Sequence, residues 1–184
     1  MSDRGYLIRN QHAVHFITFA VVEWVDVFTR KIYADIIVES LIYCQLNKGL
    51  KIHAWCLMSN HIHLIVSAEE PFKLSDILRD FKKFTSVKII AEIQNHPQES
   101  RKSWMLWIFR RAGEENNRNK DFQFWQQDNH PIELDHVQIL DSKMDYLHQN
   151  PVRAGLVREE KDYVFSSGID YYDNGKGLIA IDFL

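Results

Sequence analysis

Two short apolar runs with almost nothing between them constrain this chain most. Ile52 to Met58 and His61 to Ser67 are β-like in composition, and only Ser59-Asn60 separates them. Two residues can reverse a strand, but a crossover to a parallel neighbour needs about a dozen or more. The two runs therefore read as an antiparallel hairpin, and any sheet built on them is not doubly wound and parallel.

The flanking sequence supplies further elements. Residues 12–25 are rich in β-branched and aromatic side chains and read as a strand. From Ile32 to Gln45, Ile36, Ile37, Ser40, Leu41 and Cys44 fall at helical spacing, and Asn47-Lys48-Gly49 supplies a stop. Ser75 offers an N-cap to an amphipathic helix with Ile77, Leu78, Phe81, Phe84 and Val87 on one side and Arg79, Lys82 and Lys83 on the other. Residues 99–112 form a further helix ending at Arg110-Arg111, and Glu114 to Lys120 is a polar loop. Phe122 to Trp125 reads as a short strand or an anchoring aromatic cluster. After Pro131, Leu134, Val137, Leu140, Met144 and Leu147 recur helically until Asn150-Pro151, where proline blocks continuation. Strand, helix, hairpin, helices, short strand and helix in this order predict an α+β fold, an antiparallel sheet with helices packed on it. No linker or repeat divides the 184 residues, so one domain is expected.

Composition excludes several classes. With 46% apolar residues the chain can bury a core, which rules out disorder as its main state. Cys44 and Cys56 are too few for a disulfide scaffold and lie in apolar runs, as reduced thiols of a cytoplasmic protein do. No stretch approaches the ~20 apolar residues of a membrane span, and the start lacks the pattern of a signal peptide. The net charge of −3 hides an asymmetry: Phe72 to Lys120 holds eleven Lys and Arg against six acids. Arg118 and Lys120 are among those eleven. A basic middle in an acidic chain is either the footprint of a polyanion or two solvated helix faces.

Three groups of residues carry chemistry. Strand alternation puts His61 and His63 on one face, with Ile62, Leu64 and Val66 on the other, toward the core. Two imidazoles at fixed separation suit a divalent metal, though two surface histidines would show the same spacing. Tyr146 and Asn150 lie one helical turn apart, so a nucleophilic phenol and an amide ligand can address one point; helical tyrosines also serve plain packing. Phe124, Trp125 and Gln126, with Asn129-His130-Pro131, suit base stacking and edge contacts, or equally an aromatic plug under a loop.

A resemblance joins these groups. Met58-Ser59-Asn60-His61-Ile62-His63-Leu64-Ile65 resembles the His-hydrophobic-His signature of single-tyrosine HUH transposases. The stretch from Asp145 through Tyr146, Asn150-Pro151 and Gly155 to Val157 resembles the tyrosine-helix signature of their REP-associated branch, and Phe124-Trp125-Gln126 upstream fits it too. The likeness runs from about residue 10 to residue 167, so residues 1–167 form the expected domain and 168–184 a tail of unplaced role. Ser59 stands where many relatives carry proline, which touches the turn and not the chemistry.

The resemblance implies a ferredoxin-like sheet and a transposase that cleaves and rejoins single-stranded DNA. In that family the two histidines bind Mg²⁺ or Mn²⁺, a polar residue one turn past the tyrosine completes the site, and the tyrosine forms a 5′-phosphotyrosine. His61, His63, Asn150 and Tyr146 match those positions. Arg79, Lys82 and Lys83 would follow the DNA backbone, and Phe124, Trp125 and Gln126 would contact bases. The implied partner is single-stranded or hairpin DNA, bound by a monomer or homodimer, with neither a membrane nor a small organic cofactor involved. Two other readings use the same residues: a non-catalytic hairpin-binding protein of this fold, and a small metal hydrolase in which Tyr146 is structural. The hydrolase needs a further strong ligand, and His53, His130 and His148 form no motif; His148, about 200° around the helix from Tyr146, should point away.

Overall fold

A computed structural model describes residues 7–115, 121–127 and 129–184. Arg118, Lys120 and most of the expected polar loop lie outside the described residues. The elements in chain order are β1 (His15–Ala20), α1 (Lys31–Lys48), β2 (Leu50–Leu57), β3 (His61–Ala68), α2 (Leu74–Asn95), α3 (Lys102–Glu114), β4 (Ile132–Glu133), α4 (Val137–Arg153) and α5 (Gly168–Tyr172). The hairpin forms as its spacing requires, with Leu57 opposite Ile62 and Cys56 opposite His63. β1 returns to the far side of β3, pairing Thr18 with His63 and Ala20 with His61. The sheet order is β2-β3-β1-β4, and each neighbouring pair is antiparallel. This is the ferredoxin-like α+β arrangement, with α3 inserted before a last strand of two residues.

The sheet sorts side chains by parity. Ile17, Phe19, Ile52, Trp55, Leu57, Ile62, Leu64 and Val66 enter a large core shared with α1 and α2. Phe16, Ala54, Cys56 and Ile65 form a smaller core with Leu147 of α4. At about 25 cal/mol per Å² of apolar surface removed from water, the large core is the main source of stability. α4 lies on the opposite face from α1 and α2, the face that carries His61 and His63.

Several boundaries differ from the sequence reading. The first strand ends at Ala20, because Glu23 and Trp24 take positive φ values of 52° and 53° and turn the chain out of the sheet. Ser75 is not an N-cap: α2 begins at Leu74, and the Ser75 N–H donates to the Gln11 side chain at 2.9 Å. α3 begins at Lys102 and not at 99, since the buried Glu99 carboxylate binds Arg30 (2.8 Å) and Arg101 (3.1 Å) and accepts from Tyr33 (3.0 Å). Phe122 to Trp125 is no strand; Trp125 makes one isolated bridge with Val21. α4 runs past Asn150-Pro151 to Arg153, because a proline in the final turn forgoes only one helical bond.

α1 ends as expected, with Gly49 at φ 66°, and a side chain there would meet the Phe72 ring. Residues after α4 cover the exposed edge of β2. Leu57 donates to the Phe165 carbonyl (2.8 Å), Ser167 to that of Trp55 (3.0 Å) and Asp182 to that of Ile52 (2.9 Å). Ile179 is buried in the large core, so part of the 168–184 segment packs on the sheet and protects its edge. Among the described residues, no helix is long and apolar enough to cross a membrane.

Candidate active site

The hairpin turn is pinned from several sides. Ser59 donates to Asp26 (2.7 Å), its carbonyl accepts from the Phe28 N–H (2.8 Å), and the Asn60 carbonyl accepts from that of Val21 (2.8 Å). The Asn60 amide nitrogen donates to the Trp24 carbonyl at 3.1 Å, so its oxygen is the atom 2.7 Å from His61 Nδ1. An amide oxygen only accepts, hence His61 carries its proton on Nδ1 and offers the Nε2 lone pair. His63 Nδ1 lies 2.7 Å from the Thr18 hydroxyl across the β1–β3 pair, and its buried Nε2 has no hydrogen-bond partner among the described residues.

The two imidazoles stand 4.7 Å apart between ring centres. The Tyr146 ring meets His63 edge-on at 5.3 Å and Phe16 at 6.1 Å, while Phe16 stacks on His63 at 5.4 Å. Two cations of α4 flank the tyrosine. The Arg153 guanidinium is 4.9 Å from its ring centre and donates to its backbone carbonyl at 2.7 Å; the Lys143 ammonium is 5.7 Å away. Burial above all, then the charges of His61, Lys143 and Arg153, hold the His63 pKa down to about 3. Burial lowers that of His61 as well. Both rings are therefore neutral near pH 7 and available as ligands.

These donors suit a divalent ion, since His61 offers the Nε2 lone pair and the buried His63 Nε2 has no hydrogen-bond partner among the described residues. No group of three or more His, Cys, Asp and Glu gathers among the described residues. Further ligands would come from an amide, from water or from a substrate oxygen. Asn150 lies half-buried one turn past Tyr146, on the same side of α4. Gln149 bonds Glu160 instead, and His148 points away into the core, 2.8 Å from the Ser167 hydroxyl.

The expected base contacts need correction. Phe124 is buried against Phe28 and Phe109, and the buried Trp125 donates its indole N–H to the Thr85 hydroxyl at 3.0 Å. Neither offers a face to a base; both form the aromatic plug. The Gln126 side chain donates to the Val21 carbonyl at 3.2 Å. Arg79 binds Asp76 and Asp80, and Lys82 donates to the Gln126 carbonyl (2.8 Å) and the Asn129 side chain (2.7 Å). With the exposed Lys83 they line an open groove of about 600 Å³ beside α2. Lys143 and Arg153 escaped the sequence reading because their signal is positional: each is a cation three or seven residues from Tyr146, visible only once that tyrosine is singled out.

A family described as IS200-like transposases matches residues 9–111, which include His61, His63 and α2 and stop before α4. A solved REP-associated tyrosine transposase bound to a REP hairpin is similar over all of this chain and 92% of its own, at 20% identity and a TM-score of 0.65. A Deinococcus radiodurans structure assigned as a transposase is similar over 81% of this chain and 96% of its own, at 15% identity and a TM-score of 0.45. No curated protein sequence matches significantly.

Proposed function

We propose that this chain, which belongs to the IS200-like transposase family, cleaves and rejoins single-stranded DNA beside a hairpin through a covalent bond to Tyr146. One observation carries the reading: a buried imidazole nitrogen of His63, without a hydrogen-bond partner among the described residues, beside an exposed tyrosine flanked by two cations. The hairpin as partner rests on the solved neighbour, whose structure holds one.

In this mechanism the Tyr146 oxygen attacks the scissile phosphorus in line with the departing 3′-oxygen. The new bond is a 5′-phosphotyrosine. The broken bond releases a 3′-hydroxyl, which takes a proton from solvent while the phenol gives one up. Lys143 and Arg153 offset negative charge on the phosphate and on the attacking oxygen. Asn60 holds His61 in the tautomer that presents Nε2, and the Thr18 hydroxyl fixes the orientation of the His63 ring. Mg²⁺ or Mn²⁺ held by His61, His63 and Asn150 would supply Lewis-acid polarisation of the phosphate oxygens. The phosphodiester energy is retained in the tyrosine ester, so attack by another 3′-hydroxyl joins a new strand and frees Tyr146.

The test is incubation with single-stranded oligonucleotides that carry hairpins from the DNA flanking the gene, in Mg²⁺ or Mn²⁺. The wild type should give a detergent-stable protein–DNA adduct, and Tyr146→Phe should bind the same DNA without one. An adduct formed by Tyr146→Phe would assign the nucleophile elsewhere. Failure of the wild type on every such substrate would favour a binding protein of the same fold.

A further inference from the structure

Trp24 lies where the sequence pattern predicts strand, yet its backbone leaves the sheet. Glu23 and Trp24 are consecutive non-glycine residues at positive φ, a conformation that bulky side chains rarely adopt and that persists only when its surroundings hold it. Here the Trp24 N–H donates to the Val21 carbonyl (3.0 Å) and the Trp24 carbonyl accepts from Asn60 (3.1 Å), the same amide that orients His61. The turn holds the indole beside the histidine pair, edge-on to His61 with ring centres 5.7 Å apart, and leaves it 54% exposed. Packing alone does not explain a large aromatic side chain held in a strained turn and left in water.

The surface continues from Trp24 onto α3. Glu23 pairs with Arg111 at 3.5 Å, and the Arg111 guanidinium lies 4.8 Å from the centre of the Trp107 ring. Trp107 is 58% exposed, and Trp104, one turn earlier on α3, is 52% exposed. Exposed indoles interspersed with a guanidinium and joined to the cleavage centre match the chemistry of single-stranded DNA, whose bases stack on aromatic faces and whose phosphates pair with arginine. Duplex DNA keeps its bases stacked on each other and has no use for isolated indole faces.

We infer that Trp24 is a stacking platform for a base next to the scissile phosphate, and that Trp107 with Arg111 carries the same single strand onward over α3. A DNA phosphate replaces the Glu23 carboxylate as the partner of Arg111. The inference rests on the proposed cleavage function and adds the path of the strand.

The experiment uses full-length protein in the Tyr146→Phe background, so that binding is read without cleavage. The probes are hairpin oligonucleotides with single-stranded flanks, each carrying 2-aminopurine at one position. A base adjacent to the cleavage position should change fluorescence on binding, and Trp24→Leu should abolish that change and weaken binding about tenfold, while Trp24→Phe recovers most of it. Trp107→Ala and Arg111→Ala, on a solvent-facing helix surface, should weaken binding of long flanks only. Unchanged fluorescence and affinity in folded Trp24→Leu would overturn the platform, as unchanged long-flank affinity in both α3 variants would overturn the path. Wild-type adduct formation is scored separately: an adduct with no Trp24 effect removes this inference alone, whereas no adduct at all removes the cleavage function.

Discussion

The Thr18 hydroxyl lies 2.7 Å from His63 Nδ1, directly across the antiparallel pair of β1 and β3. This contact turns a strand register into a chemical property, because it pins the ring through Nδ1 and leaves Nε2 as the nitrogen without a hydrogen-bond partner among the described residues. Thr18→Val keeps the shape and removes the hydrogen bond. Metal affinity should fall about 10- to 100-fold, as expected when a ligand's outer partner is lost, and Thr18→Ser should restore it. Isothermal titration with Mn²⁺ checks this; equal affinity in Thr18→Val would show that the hydroxyl does not set the ring.

Removing both imidazoles, His61→Ala with His63→Ala, should abolish Mn²⁺ binding. Asn150→Ala should instead weaken it and slow adduct formation, with the rate returning at high metal concentration because Tyr146 is untouched. A rate in Asn150→Ala that does not respond to metal would remove Asn150 from the ligand set.

Lys143→Ala and Arg153→Ala bear on the charge around the tyrosine. Each should lower the single-turnover rate of adduct formation by about 10- to 100-fold, corresponding to ~1.4–2.7 kcal/mol of transition-state stabilisation. Arg153 also donates to the Tyr146 carbonyl, so Arg153→Lys, which keeps the charge but not the fork, should recover only part of the loss. Rates equal to wild type would mean that these cations only pack against the ring.

Trp125 separates core from binding surface. Trp125→Ala should destabilise the fold by about 3–5 kcal/mol, as deletion of a buried aromatic does. DNA affinity per folded molecule should stay near wild type. A selective loss of affinity with unchanged melting temperature would return Trp125 to the role of base platform.

Glu99 gives the acid dependence of stability. Burial opposes its charge, but hydrogen bonds from Arg101 and Tyr33 outweigh it and hold the pKa down to about 2, below the ordinary 4.5. A carboxylate with a depressed folded pKa stabilises the fold above its unfolded pKa, and the contribution disappears as pH falls through the folded value. It amounts to about 3 kcal/mol at neutral pH. Urea unfolding should show a large deficit for Glu99→Gln at pH 7 that narrows as pH drops below 4.5 toward 2. A deficit that is constant with pH would mean that shape, and not charge, is what Glu99 contributes.

Much of the architecture was legible in the chain itself. The two-residue gap at Ser59-Asn60 forces the hairpin, strand alternation puts His61 and His63 on one face, and helical spacing puts Tyr146 and Asn150 on one side of α4. These are properties of local backbone geometry, which repeats with a known period whatever the chain packs against. The sequence also holds the histidine pair within the stretch that matches the family, and the tyrosine helix beyond it by resemblance.

Tertiary structure alone decided which aromatic residues face water and which distant groups the buried side chains meet. Phe124 and Trp125 have a composition suited to stacking on DNA, yet α2 and α3 close over them. Trp24 reads as one more strand residue until its turn carries it out beside His61. The His63 ring is engaged by Thr18, 45 residues away, and the Glu99 charge is held in part by the hydroxyl of Tyr33, which is 66 residues away. Burial and hydrogen-bond partnership arise between segments distant along the chain, so no local period encodes them.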